Sequence, residues 1–147
     1  MEEMRIMLVD DEEGFLLTTK KLLERKGLHV TTAMSGSEAL EKLMQETIHV
    51  VVLDVKMPGM DGVTALKAIK SRFPLVEVIM FTGHASVDSA VDGLMSGATD
   101  YLTKPLDIEE LIAKVEEAFA RGRYLEEKIR GERSRAEAKN AEKGSKK

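Results

Sequence analysis

Asp10 and Asp11 follow the apolar run Ile6-Met7-Leu8-Val9, and Asp54 follows Val50-Val51-Val52-Leu53. Thr82 closes a further apolar segment over residues 76–81, and Lys104, in Thr103-Lys104-Pro105, follows a segment at 98–102. Three carboxylates held close repel one another and hold protons more tightly unless a cation is present. An all-oxygen donor set without His or Cys selects a hard cation, and Mg2+ takes a few carboxylates together with water and phosphate oxygens. The ammonium of Lys104 is a compact charge suited to a phosphate or to a neighbouring carboxylate. A carboxylate nucleophile, a hard cation, an ammonium and a hydroxyl are the parts that phosphoryl transfer needs, because its catalysis is positioning and charge stabilisation. An acidic residue after a strand is often only the cap of the next helix, and Asp11 taken alone fits that reading. Asp54 does not, since a charge at the end of an all-apolar strand is costly without a function.

These residues converge only if the chain alternates strands and helices, and its periodicity predicts that. Short apolar runs at 6–9, 50–53 and 76–81 read as strands, as do the more polar segments 29–33 and 98–102. Between them lie helical patterns through Phe15, Leu16, Thr19, Leu22 and Leu23, then Ala39, Leu40, Leu43 and Met44, then Val63, Leu66 and Ile69, then Val87, Ala90, Val91, Leu94 and Met95. A fifth helix starts near Asp107. Gly27 ends the first helix, and Ser35 with Glu38 forms a capping-box signature for the second. Most of the nine methionines are expected on helical core stripes, filling gaps. His29 and His49 are expected as partly exposed structural residues at strand starts, and His84 near the rim of the site.

Five βα units imply an α/β fold, a doubly wound parallel sheet with helices on both faces. Strands buried on both faces read as continuous apolar runs, which places the polar second and fifth strands at the edges. With right-handed crossovers the order 2-1-3-4-5 follows, the flavodoxin-like arrangement. Ligands in such sheets bind beyond the carboxyl ends of the strands where the order reverses, here between strands one and three. Strands one, three, four and five thereby deliver Asp10, Asp11, Asp54, Thr82 and Lys104 to one edge.

The 147 residues suffice for one well-buried domain and not for two ordinary ones. Residues 1–120 carry 12 Lys and Arg against 21 Asp and Glu, whereas 121–147 carry 10 against 5. An acidic body is poorly suited to nucleic acid. The basic tail is read as a charged helical extension over 122–147, disordered from about Gly131, beyond a domain at 1–121. Leu111, Val115, Ala118, Gly122, Leu125 and Ile129 follow the alternating spacing of a coiled-coil seam, so the tail is expected to serve self-association or partner binding. No cysteine is present and no apolar run is long enough to span a bilayer, so the expected location is the cytoplasm.

Asp10-Asp11, Asp54 with Met57-Pro58-Gly59-Met60-Asp61-Gly62, Thr82, and Tyr101 with Lys104-Pro105 together resemble the signature of CheY-like response-regulator receiver domains, over roughly residues 4–120. The resemblance implies that Asp54 accepts a phosphoryl group from a sensor histidine kinase or a phosphotransfer protein. It implies Mg2+ held by Asp10, Asp11, Asp54 and the Lys56 carbonyl, and Lys104 contacting the phosphoryl group. Thr82 and Tyr101 would then switch the surface of the fourth helix, fifth strand and fifth helix toward a downstream protein, with a homodimer as one outcome. The chain would be a switch with slow self-hydrolysis rather than an enzyme. The stretch Phe81-Thr82-Gly83-His84 is similar to receivers of NtrC-type transcriptional activators, although no DNA-binding domain is recognised in this sequence. Two other classes fit less well. A flavin-binding protein needs a phosphate-accepting first turn, and Asp10-Asp11-Glu12-Glu13 repels phosphate. An aspartate phosphohydrolase resembles this fold but carries its nucleophile in an Asp-x-Asp pattern after the first strand.

Overall fold

In a computed structural model, residues 3–57, 59–82 and 96–145 are described. The strands are β1 (Arg5–Val9), β2 (His29–Ala33), β3 (Val50–Asp54), β4 (Glu77–Thr82) and β5 (Asp100–Thr103). They form one parallel sheet in the order β2-β1-β3-β4-β5. The described helices are α1 (Glu13–Arg25), α2 (Gly36–Gln45), α3 (Gly62–Arg72) and α4 (Ile108–Ser145). The helix expected at 87–95 lies outside the described residues, as does His84, so α4 corresponds to the fifth helix of the sequence pattern. The sheet order is the one the polarity of the strands predicts, with β2 and β5 at the edges.

The two-residue period of each strand divides the core into two layers. Met7, Val9, Val51, Leu53, Val78 and Met80 face the layer with Ala39, Leu40, Leu43, Ala65, Leu66 and Ile69, from α2 and α3. Ile6, Leu8, Val50, Val52, Ile79 and Phe81 face the layer with Leu16, Leu23, Leu111, Val115 and Ala118, from α1 and α4. Both faces of β1, β3 and β4 are therefore covered, which is why these strands lack alternation in polarity.

Local signals set the element ends. Gly27 takes φ +87°, which a glycine tolerates without strain, directly after α1. Ser35 Oγ accepts the Glu38 N–H at 3.1 Å, and the Glu38 carboxylate reaches back to the Met34 N–H at 3.0 Å, one residue before the usual partner in a capping box. Of the methionines, Met7, Met57 and Met80 are buried on strands or a loop, whereas Met44 on α2 is 67% exposed. The expectation of helical methionine stripes is thus corrected; α2 buries Gly36, Ala39, Leu40 and Leu43 and leaves Met44 outside.

The tail departs from expectation most. Instead of becoming disordered from about Gly131, the chain stays helical to Ser145, so α4 runs 38 residues, about 57 Å. Ala, Glu, Lys and Arg dominate its second half and have high helix propensity. Ion pairs Arg123–Glu126 and Arg130–Glu126, each 3.1 Å, add support three and four residues apart. The packed first half of α4 also removes the cost of nucleation. Gly122 lets α4 approach β4: a Cβ there would meet Glu77 Cγ at 3.3 Å. Glu77 is itself buried and accepts a hydrogen bond from Thr99 Oγ1, with Arg121 Nε 3.8 Å away. Gly122 therefore has an intradomain role, and of the six seam positions only Leu125, half-buried, and Ile129, exposed, lie beyond it.

Candidate functional site

Asp10 directly follows β1, held there by its N–H donating to the Ala33 carbonyl at 3.1 Å. It is almost fully buried. Its Oδ1 accepts the Glu12 N–H at 3.0 Å, and its Oδ2 accepts from Lys104 Nζ at 3.1 Å. Asp11 is exposed. Asp54 ends β3 with 5% exposure; its Oδ1 accepts the Lys56 N–H at 3.3 Å, and its Oδ2 lies 3.9 Å from Lys104 Nζ. Carboxylate oxygens of Asp10, Asp11 and Asp54 all lie within 4.8 Å of one another.

The segment after Asp54 is pinned from two sides. Val55 N–H donates to the Phe81 carbonyl, and Gly62 N–H donates to the Val55 carbonyl at 2.8 Å. Gly62 must be glycine, because a Cβ would come within 2.5 Å of Val55 Cα and closer still to the Asp54 carbonyl. Asp61 caps α3 by accepting the Thr64 N–H at 2.8 Å, and that bond holds its carboxyl below the usual range. The loop chemistry after β3 thus serves to close the chain tightly around Asp54.

Burial and the charge of Asp10 lift the Asp54 pKa from 3.8 to about 6, against the opposing pull of Lys104 and the Lys56 N–H, with Asp11 adding a further upward push. Burial by itself lowers the Lys104 pKa, but its hydrogen bond to Asp10 and the charges of Asp10, Asp54 and Glu12 outweigh it, so the net shift is upward. Among the described residues, three carboxylates gather around the Lys104 ammonium. The donor set is oxygen only and the three carboxylates lie close together, so the three aspartates can hold a metal ion.

Each expected site residue on a described strand end reaches the same edge of the sheet. Thr82 ends β4 and pairs in register with Thr103, and Asp54 pairs with Phe81. The described part of the Lys56 environment is its N–H bond to Asp54 and an exposed side chain. Tyr101 on β5 is half-buried, and its hydroxyl, shielded from solvent, finds no hydrogen-bond partner among the described residues; burial raises its pKa. The Lys104–Pro105 peptide bond is cis. His29 pairs with Glu3 at 2.9 Å, and His49 Nδ1 accepts the Arg5 N–H at 3.0 Å; both sit at the opposite end of the sheet.

Two residues around Lys104 escape a reading of polar motifs. Its Nζ sits over the rings of Phe15 and Phe81, 5.2 and 5.4 Å from their centroids. Both looked like ordinary core positions in the sequence. The available signal was the placement of Phe15 four residues after Asp11, on the first turn of α1.

Comparisons with known proteins agree with this fold. Residues 6–116 match the family model for the response regulator receiver domain. The DNA-binding transcriptional regulator NtrC of Escherichia coli K12 is 43% identical over 115 residues, covering 78% of this chain and 24% of that protein. The chain thus spans about a quarter of the length of that curated relative. A CheY-like response regulator receiver domain protein from Methanospirillum hungatei JF-1 superposes with a TM-score of 0.80 at 32% identity, covering 84% of this chain and 98% of that one. The beryllofluoride-activated NtrC4 receiver domain dimer superposes with a TM-score of 0.75 at 39% identity, covering 80% and 98%.

Proposed function

The chain belongs to the response regulator receiver family of two-component signalling, and we propose that Asp54 is the residue on which it accepts a phosphoryl group. The observation that carries this reading is a buried carboxylate at the end of the central strand, with Lys104 Nζ 3.9 Å away and two further aspartates beside it. The donor is a phosphohistidine on a sensor kinase or phosphotransfer protein. An Asp54 oxygen attacks phosphorus, the P–N bond breaks, and the imidazole leaves with a proton from solvent. Lys104 stabilises charge on the phosphoryl oxygens, and the pinned backbone at 54–55 holds the nucleophile in place. Asp10, Asp11, Asp54 and the Lys56 carbonyl would hold Mg2+, which when bound would neutralise the remaining charge on the incoming oxygens. Slow attack of water on the same phosphorus breaks the bond to the Asp54 oxygen, releases inorganic phosphate and returns Asp54 to its free carboxylate.

Thr82 and Tyr101 are assigned to the switch. A phosphoryl group at Asp54 adds an acceptor at the end of β4, where Thr82 lies, and Tyr101 stands half-buried on edge strand β5, from which it can turn toward or away from solvent. A contact that differs between the two states is what a population shift needs. The receiving partner is a downstream protein. None of the described helices is long and apolar enough to cross a membrane, and with no cysteine the chain suits a reducing cytoplasm.

Incubation with acetyl phosphate and Mg2+ should add one base-labile phosphoryl group, seen by intact mass, and chelation should suppress it. Labelling indifferent to chelation would overturn the metal assignment, and no labelling of any kind would overturn the acceptor reading.

We further assign residues 1–121 to the receiver proper and residues 122–147 to an extension used in self-association. Leu125 and Ile129 on the outer half of α4, with Leu75 exposed nearby, support this, and one similar structure is a receiver dimer. Deleting residues 124–147 should leave labelling intact and lower the number of copies per particle in solution with phosphoryl donor present. Impaired labelling would contradict the boundary, and an unchanged oligomeric state would contradict the role of the extension.

A further inference from the structure

Lys104 must serve two carboxylates at once. Its Nζ lies 3.1 Å from Asp10 and 3.9 Å from Asp54, and its side chain remains 24% exposed. A lysine chain with four rotatable bonds would collapse onto Asp10 or swing into solvent unless something confined it. Phe15 and Phe81 stack with centroids 5.5 Å apart and planes 25° from parallel. With the ammonium at 5.2 and 5.4 Å, the three centres form a nearly equilateral triangle. Phe81 is fixed in β4, 2% exposed, in register with Asp54. Phe15, half-buried on the first turn of α1, is the member that closes the arrangement from the side of Asp10 and Asp11.

We propose that Phe15, seated on Phe81, is a positioning residue for phosphoryl transfer, holding the Lys104 ammonium over the crevice through its ring face. This rests on the reading of Asp54 as acceptor. An aliphatic residue at 15 would fill the same apolar space yet offer no negative ring face to a cation, so the argument concerns the π system and not volume. The ring attraction adds a second restraint beside Asp10 and keeps the ammonium within reach of the phosphoryl group that arrives on Asp54. Phe15 touches neither the acceptor nor the donor in this account; it acts through Lys104.

The test compares Phe15→Leu and Phe15→Tyr with the unaltered chain. In the unaltered protein, ring currents should shift the methylene protons next to Lys104 Nζ upfield in the NMR spectrum, without any phosphoryl donor or metal present. Phe15→Leu should abolish that shift and slow acetyl phosphate labelling by about three- to tenfold, the size of one partly desolvated cation–π contact. Phe15→Tyr should restore both. In a Lys104→Met background, Phe15→Leu should slow labelling no further. The absence of the upfield shift in the unaltered protein overturns the proposal, as does a Leu variant that labels at the normal rate or a loss that persists without Lys104. If the unaltered chain takes no phosphoryl group on Asp54, the acceptor reading falls while the NMR result still decides whether Phe15 holds the ammonium.

Discussion

Asp54→Asn is expected to stabilise the metal-free protein at pH 7.5 by about 3 kcal/mol. The Asp54 pKa lies near 6 in the fold, against 3.8 for an ordinary aspartate, because burial and Asp10 both disfavour the charged form. The folded state therefore binds this proton more tightly than the unfolded chain does. Stability linked to Asp54 is fully present below about pH 3.8 and is lost as pH rises through about 6. Above that the carboxylate is charged in both states and the penalty is complete, at about 1.4 kcal/mol for each pH unit between the two values. Asparagine keeps the shape and the acceptor for the Lys56 N–H without the charge. Thermal unfolding in chelator should show the variant melting roughly 5–10 °C higher at pH 7.5. The gap should shrink steadily as pH falls from 6 toward 4. Equal melting temperatures at both ends of that range would show that Asp54 is not held in an unfavourable charged state. Mg2+ should narrow the gap at pH 7.5 by stabilising the native aspartate more than the asparagine.

Lys104→Met should slow phosphoryl incorporation on the order of a hundredfold, the effect of removing one aimed charge from a developing anion. Methionine conserves much of the volume and apolar contact with Phe15 and Phe81, so the loss would reflect charge. The same substitution removes the opposing pull on Asp54 and leaves Asp10 without its ammonium. The Asp54 titration in metal-free protein should therefore move above pH 6, which carboxyl carbon NMR can follow. A variant that labels at the normal rate, or one whose Asp54 titrates unmoved, would place Lys104 outside the site's electrostatics.

The fold was legible because β1, β3 and β4 are apolar on both faces and only a parallel sheet between two helical layers buries them all. The site was legible for a related reason: Asp10, Asp54 and Thr82 close those runs at their carboxyl ends and Lys104 follows β5, and topology brings these ends together. What stayed hidden depends on contacts that no periodicity encodes. Phe15 and Phe81 read as core because their relation to Lys104 spans three elements. Glu77 lies inside the segment 76–81 that was read as apolar, and it is buried against Thr99 and Gly122. Gly122 in turn read as one position of a helical seam, when it is the point where α4 approaches β4. The tail read as disordered from its lack of apolar residues, but propensity and charge pairs extend a helix whose first half is already packed.

The acceptor assignment is tested most directly by locating the phosphoryl group itself. Labelled protein treated with borohydride converts an aspartyl phosphate to homoserine, and peptide mass spectrometry then reads the altered residue. The predicted result is homoserine at position 54 and nowhere else, with no conversion in Asp54→Ala. Homoserine at Asp10 or Asp11, or a label that survives in Asp54→Ala, would contradict the account.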